Sequence, residues 1–218
     1  SHSGSVDPTT EGWTLDTYGS YSVGGGTDAE AYWGIDNPTS SKARYLYDLD
    51  ATILGDLNGW TLTARAKVGS AAWVDGAKLG VLDSSSWWQL NLCNDPAGYR
   101  GVYTWNAAHG FGAALSTVNP GEAYHTYQIV YNPLTSAASY YMDGQYLGAQ
   151  GRSEVPPGYS IYRAEWGDGS DGALGADRSQ WSYVTFETGQ HVIPEPATVT
   201  LLVCGGLSLL AYAWRRRK

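Results

Sequence analysis

Cysteine is almost missing from this chain, with two in 218 residues. Cys204 lies in an apolar tail and Cys93 in an expected strand, so no disulfide is expected between them and the fold must hold without staples. Cys93 reads as an inert, semi-buried thiol. Positive charge is also scarce. The chain has 13 basic residues against 21 acidic ones, and four of the basic residues are the last four. Residues 1–193 keep nine basic and 20 acidic residues, a net charge of about −11. That sign opposes binding to nucleic acid or to an anionic membrane surface, and it helps keep an aromatic-rich domain soluble. The histidines have no zinc spacing: His125 sits in a framework strand, whereas His2, His109 and His191 are isolated. Internal repeats and low-complexity segments are absent.

Glycine and the large aromatics are abundant, with 28 Gly, 17 Tyr and 10 Trp. This composition suits many strands joined by tight turns. Strand-like runs recur about every ten residues between Gly, Asn-Pro or Asp-Gly punctuation, the pattern of a sandwich or barrel. Expected strands cover residues 12–18, 31–35, 44–49, 60–68, 87–93, 99–105, 113–118, 125–131, 139–142, 145–147, 159–166 and 180–187. Gly24-Gly25-Gly26 is expected to be a flexible spacer. The clearest alternation sets Trp60, Leu62, Ala64, Ala66 and Val68 against Thr61, Thr63, Arg65 and Lys67, one face core and the other wet. Trp88, Leu90 and Leu92 alternate in the same way with Trp87, Gln89 and Asn91, so the adjacent tryptophans must point to opposite sides. Asp143-Gly144 is a favoured pair for a type I′ hairpin turn. About 190 residues are enough for one all-β domain with a substantial core.

The tail has a different character. Pro194-Glu195-Pro196 precedes 18 uncharged residues, 197–214, and then Arg215-Arg216-Arg217-Lys218. Eighteen helical residues span roughly 27 Å, just enough for a thin bilayer. The basic cluster favours the cytoplasm, which places everything before Pro194 outside. Pro-Glu-Pro, a short apolar helix containing Gly205-Gly206 and a basic end together resemble the PEP-CTERM sorting signal of Gram-negative bacteria. That resemblance implies a membrane-tethered precursor in the inner membrane, cut by an exosortase-type protease and released to the cell surface or to a biofilm matrix. An ordinary C-terminal anchor is the alternative, but it needs no Pro-Glu-Pro. Export normally requires an N-terminal signal. The start, Ser1-His2-Ser3-Gly4-Ser5, has neither a basic nor an apolar region, so the expectation is that such a signal has been removed.

Three segments of the body resemble the concanavalin A-like, laminin-G-like jelly-roll superfamily, over roughly residues 10–188. They are residues 59–65, the run from Tyr124 and His125 through Tyr140-Tyr141-Met142-Asp143-Gly144, and residues 179–184. The expected organisation is a two-sheet antiparallel jelly-roll sandwich over residues 1–190, followed by the sorting signal over 191–218 with one transmembrane helix at 197–214. These framework features imply a fold and not a reaction.

Two groups of residues suggest ligand chemistry. Trp87, Gln89 and Asn91 share one face of a strand. An indole flanked by amides suits a sugar, which stacks its apolar face and exchanges hydrogen bonds through its hydroxyls. Arg65 or Arg100, with Tyr103 and Trp105, extend the expected surface; the bland alternative is that Trp87 fills a gap beneath a loop. The second group is the Gly/Asp loop of residues 167–177, whose Asp168, Asp171 and Asp177 offer oxygen ligands for calcium. Its spacing does not match an EF-hand, and Asp with Gly is also ordinary turn chemistry.

Glycosidases on this fold need two carboxylates at a controlled separation. The Glu-x-Asp-x-Glu strand of laminarinase-like enzymes is absent, as are the motifs of jelly-roll alginate lyases. Asp48 with Asp50 and Asp28 with Glu30 are pairs without a third member. The expected function is therefore non-covalent binding of extracellular polysaccharide, without catalysis. A structural matrix protein lacking a ligand groove and a polysaccharide-cleaving enzyme are the alternatives.

Overall fold

The computed structural model describes residues 1–37, 41–55, 58–70, 77–83, 86–94, 100–106, 110–121, 123–151, 161–168 and 177–190. These form β1 (His2–Ser3), β2 (Thr14–Tyr18), β3 (Ser22–Thr27), β4 (Ala31–Asn37), β5 (Lys42–Asp48), β6 (Trp60–Ser70), β7 (Ala77–Asp83) and β8 (Ser86–Asn94). The series continues with β9 (Arg100–Asn106), β10 (Gly110–Ser116), β11 (His125–Asn132), β12 (Ala137–Met142), β13 (Gln145–Gly151), β14 (Arg163–Asp168) and β15 (Asp177–Thr188). A 3-10 turn at Pro8–Glu11 and a short helix α1 (Ala51–Leu54) complete the described elements. Sheet A runs β13-β12-β11-β6-β15-β4-β3, with β1 also paired to β15, and sheet B runs β10-β9-β8-β7-β14-β5-β2. The result is the expected two-sheet antiparallel sandwich. The expected transmembrane helix lies outside the described residues. Among those residues, no helix is long and apolar enough to cross a membrane.

The core lies between the sheets and is built by alternation. Trp60, Leu62, Ala64, Ala66 and Val68 of β6 all point inward, where Trp88, Leu90 and Leu92 of β8 meet them. Trp60 stacks on Tyr131 at 5.3 Å and meets the Trp88 ring edge-on at 5.5 Å. A second aromatic knot centres on Trp166, whose ring lies 4.6 Å from Tyr45, 5.2 Å from Trp181 and 5.1 Å from His2. Each such ring removes roughly 150–250 Å² from water. At about 25 cal/mol per Å² that is around 4–6 kcal/mol per ring before ordering costs, which accounts for cohesion without disulfides. Trp181 and Val184 both face the core, although alternation alone would send them to opposite sides. A bulge between Trp181 and Tyr183 re-aims the strand.

The Asp143-Gly144 turn forms as expected, with positive φ at both residues (52° and 82°). Asp143 also ties the hairpin down: His125 Nδ1 lies 2.6 Å from its Oδ2, and the Thr126 N–H donates to its Oδ1 at 2.8 Å. Two expectations change. Gly24-Gly25-Gly26 is part of edge strand β3, paired with β4. A Cβ on Gly25 would collide with the Ser5 carbonyl oxygen, and one on Gly26 with the Tyr32 ring, so glycine permits this close layering. Strand β7, which was not expected, lies in the middle of sheet B.

Candidate functional site

Residues that alternate with the core set of sheet B point to its outer side, and strand register arranges them in rows. One row reads Tyr103, Asn91, Lys78, Gly167, Arg44, Asp16. The next reads Gln89, Gly80, Glu165, Leu46, Thr14, and a third reads Trp87, Leu82, Arg163, Asp48. The middle of this face is buried: Gln89, Asn91 and Glu165 are 2%, 0% and 0% exposed.

Three cations converge on the Glu165 carboxylate. Lys78 Nζ lies 2.9 Å from Oε1, while Arg44 Nη1 and Arg163 Nη2 lie 3.3 Å and 3.4 Å from Oε2. Burial opposes ionisation of this carboxyl, but the charges of Lys78, Arg44 and Arg163 outweigh it and hold the group below its usual range. Arg44 also reaches Asp16 at 2.7 Å, and Lys42 joins that carboxylate at 3.2 Å. Burial acts against ionisation of Asp16 too, and its two cationic partners overcome it.

Beside the charges lies an amide pair. Gln89 Nε2 donates to Asn91 Oδ1 at 2.5 Å. Gln89 Oε1, Asn91 Nδ2 and Arg163 Nε remain buried without a hydrogen-bond partner. Flipping both amides exchanges which residue supplies the open donor and which the open acceptor, but one of each persists. Trp87 is half-buried, with Lys78 Nζ 5.4 Å from its ring centroid. A Cβ on Gly80 would come 3.5 Å from Trp87 Nε1, so the indole lies across that glycine. The arrangement sets unpartnered amide atoms, charge and an indole side by side, with the amides and Glu165 covered in this conformation. An ionised, triply paired Glu165 is poorly suited to deliver a proton.

The residues expected to form one surface divide among three places. Trp87, Gln89, Asn91 and Tyr103 share the outer face of sheet B, although the two amides are buried instead of flanking an open ring. The Tyr103 hydroxyl donates to the Arg100 carbonyl at 3.2 Å. Arg65 lies on β6, on the opposite outer face of the sandwich, where its guanidinium pairs with Glu30 at 2.5 Å. Arg100 opens β9 opposite Asn94, with the parity of the inward-facing Val102 and not that of Tyr103, and is exposed. The Trp105 side chain lies outside the described residues. Sequence reasoning missed Lys78, Arg163, Glu165 and Arg44. Their one local signal was charge inside otherwise apolar runs.

The expected calcium ligands also separate. Asp168 ends β14, is buried, and accepts a hydrogen bond from Asn37 Nδ2. Asp171 and the Asp177 side chain lie outside the described residues. Among the described residues, no cluster of three or more His, Cys, Asp or Glu could hold a metal. Sheet A has its own open trough of about 340 Å³, floored by Gly24 and Gly34 and walled by Tyr32, Asp36, Arg178 and Gln180. Its charges are already matched, with Arg178 Nε 3.0 Å from Asp36 Oδ2. On the sheet B floor, by contrast, Gln89 Oε1, Asn91 Nδ2 and Arg163 Nε are buried without a hydrogen-bond partner.

Residues 192–218 match the PEP-CTERM protein-sorting motif. The chain carries an export address. No curated protein matches the sequence. Among solved structures, the chain resembles the carbohydrate esterase of Shiga toxin-encoding bacteriophage phi24B at TM-score 0.63 and 13% identity, over 84% of this chain and 93% of that one. It also resembles a sialidase at TM-score 0.52 and 11% identity, covering 82% of this chain and 17% of that one. The botulinum neurotoxin serotype C1 binding domain aligns at TM-score 0.50 and 9% identity, over 84% and 46% of the two chains. The chain thus spans less than a fifth of the sialidase and under half of the toxin domain. At such identities the likeness shows the sandwich fold alone.

Proposed function

We propose that this chain is an exported bacterial protein of the cell surface or extracellular matrix that binds glycans without covalent chemistry. We further propose that an exosortase-type protease sorts it and cuts near Pro194-Glu195-Pro196. One observation carries the binding reading: on the outer face of sheet B, a buried amide pair has one donor and one acceptor without a hydrogen-bond partner beside the half-buried Trp87. Sugars meet those requirements with hydroxyls for the amides and an apolar ring face for the indole. The sorting motif supports a location where polysaccharide is available. The carbohydrate esterase of similar shape lends general support, without indicating a site. Because Glu165 is held ionised by three cations, the face reads as a binding surface and not as a hydrolytic centre.

A glycan array with the full-length protein in mild detergent tests this reading. Binding is expected, with a loss of at least about tenfold in Trp87→Ala, corresponding to roughly 1.4 kcal/mol. Tyr32→Ala, in the sheet A trough, should leave binding unchanged. Loss in Tyr32→Ala with retention in Trp87→Ala would move the site to the trough. A folded protein that binds no glycan on the array would reject the reading. Processing is tested separately by mass spectrometry of protein recovered from cells: mature molecules should lack Arg217 and Lys218, and an intact end on all of them would contradict cleavage.

A further inference from the structure

We infer that, in the membrane-anchored precursor, one end of the sandwich rests on the bilayer surface, with the exposed Leu134 as its point of contact with zwitterionic lipid. The inference rests on reading residues 197–214 as a membrane-spanning tail and adds a contact made by the folded domain. The chain is held to the sandwich as far as Gln190. The Gly189 N–H donates to the Gly59 carbonyl at 2.7 Å, Thr61 Oγ1 donates to the Gly189 carbonyl at 2.8 Å, and Gln190 Nε2 donates to the Asn58 carbonyl at 3.4 Å. From Gln190 to Ala197, where the apolar run begins, is seven residues, a reach of at most about 25 Å when fully extended. An anchored tail therefore keeps this end of the domain within that distance of the bilayer.

Strand register shows what stands there. Trp60 pairs with Tyr131 on one side and Thr188 on the other, and Asn132 pairs with Ala137, so the turn between β11 and β12 lies next to the exit of the chain. A Cβ on Gly59 would come 3.0 Å from Pro133 Cδ and 3.3 Å from Gln190 Cγ, which puts the turn and the exit against one glycine. Leu134 follows Pro133 in that turn and is 87% exposed, the highest value among the large hydrophobic side chains described. The turn closes without its side chain: Asn132 Oδ1 accepts from the Leu134 N–H at 2.9 Å, and the Asn132 carbonyl accepts from the Thr135 N–H at 3.3 Å. At the same end, an open cleft of about 500 Å³ sets Tyr47, Leu49, Ile53 and Phe186 beside Glu187 and Thr188. One exposed leucine is ordinary on a free protein. A tether this short makes the contact intramolecular, so that even a small apolar burial counts. The exposed carboxylates Asp48, Asp50 and Glu187 belong to this end as well, and they oppose an anionic surface. The same acidic end leaves the bilayer once the tail is cut.

The test reconstitutes the full chain, carrying Cys93→Ala and Cys204→Ala, into phosphatidylcholine vesicles with nitroxide quenchers on the headgroups. A bimane probe is placed on Thr135→Cys or on Tyr146→Cys. Tyr146 is 57% exposed and pairs with Tyr141 of β12, so it reports a level roughly 15 Å farther along the strands. Vesicle flotation comes first: protein that does not float contradicts the membrane-spanning reading and takes the inference with it. In protein that floats, the Thr135 probe should be quenched at least about twofold more than the Tyr146 probe. Equal quenching, or more at Tyr146, would overturn the contact and leave the anchor standing. Adding Leu134→Asp should bring the Thr135 probe down to the Tyr146 level; unchanged quenching would show that the tether alone sets the distance and overturn the role of Leu134. Phosphatidylglycerol vesicles should quench the Thr135 probe less, and stronger quenching there would assign the contact to charge and overturn the zwitterionic partner.

Discussion

On the outer face of sheet A, charges meet one to one at the edge of solvent. Arg65 pairs with Glu30, Lys67 with Asp28, and Arg178 with Asp36. On the outer face of sheet B, three cations crowd one fully buried carboxylate while neighbouring amide atoms have no partner. Among the described residues, one face of the sandwich therefore carries solvent-edge ion pairs and the other a buried charge cluster beside unpartnered amide atoms. Pairs in water contribute little because solvent screens them. Buried, unmatched groups are costly and tend to persist where something is bound. The contrast separates a solubilising face from a candidate site better than composition does, since both faces are polar.

The sharpest way to break this comparison is to remove the central carboxylate. Glu165→Gln leaves Lys78 and Arg163 without their anion and Arg44 with Asp16 alone, and should cost about 3–5 kcal/mol in urea unfolding; a loss under about 1 kcal/mol would show that the cluster is solvated after all. The pH dependence follows the same group. Because the Glu165 carboxyl is held below its usual value of 4.5, its contribution to stability is present above that value. It disappears as pH falls through the lower folded value. Denaturation midpoints measured from pH 6 down to pH 2 should fall steeply below about 4.5 in the wild type, and less steeply in Glu165→Gln. The double variant Gln89→Leu/Asn91→Leu gives up one hydrogen bond but removes two unpartnered polar atoms. Its stability should stay within about 1 kcal/mol of wild type while glycan binding is lost, whereas a large destabilisation would mark the pair as structural. Smallest of all, Glu30→Gln on sheet A should cost about 0.2–1 kcal/mol in the same unfolding assay.

Much of the frame could be read along the chain. The alternation in β6, β8 and β11 identified the core faces, because period-two patterning reports burial wherever one side of a strand is wet. Asp143-Gly144 identified its own hairpin, and the last 25 residues identified their role as an address. Strand β7 escaped notice because it is buried along nearly its whole length on both faces, so its apolar run does not alternate. Arg65 was assigned to the wrong surface for a related reason: alternation says which side of a strand a residue takes, but not which sheet that strand joins. The Gly24-Gly25-Gly26 run looked flexible because glycine has no local preference, and only its packing under Ser5 and against Tyr32 makes it strand.

By itself, then, the sequence determined an all-β sandwich without disulfides, an acidic body and a PEP-CTERM tail. Each of these depends on short-range pattern or composition. Only the tertiary structure decided the candidate site. Arg44 and Glu165 stand 121 residues apart, and Lys78 and Asn91 meet only because β7 and β8 pair in one register. Which strands stand side by side is decided by how the sheet assembles over a shared core, so no local stretch of chain could reveal that three cations and an amide pair would share one buried floor.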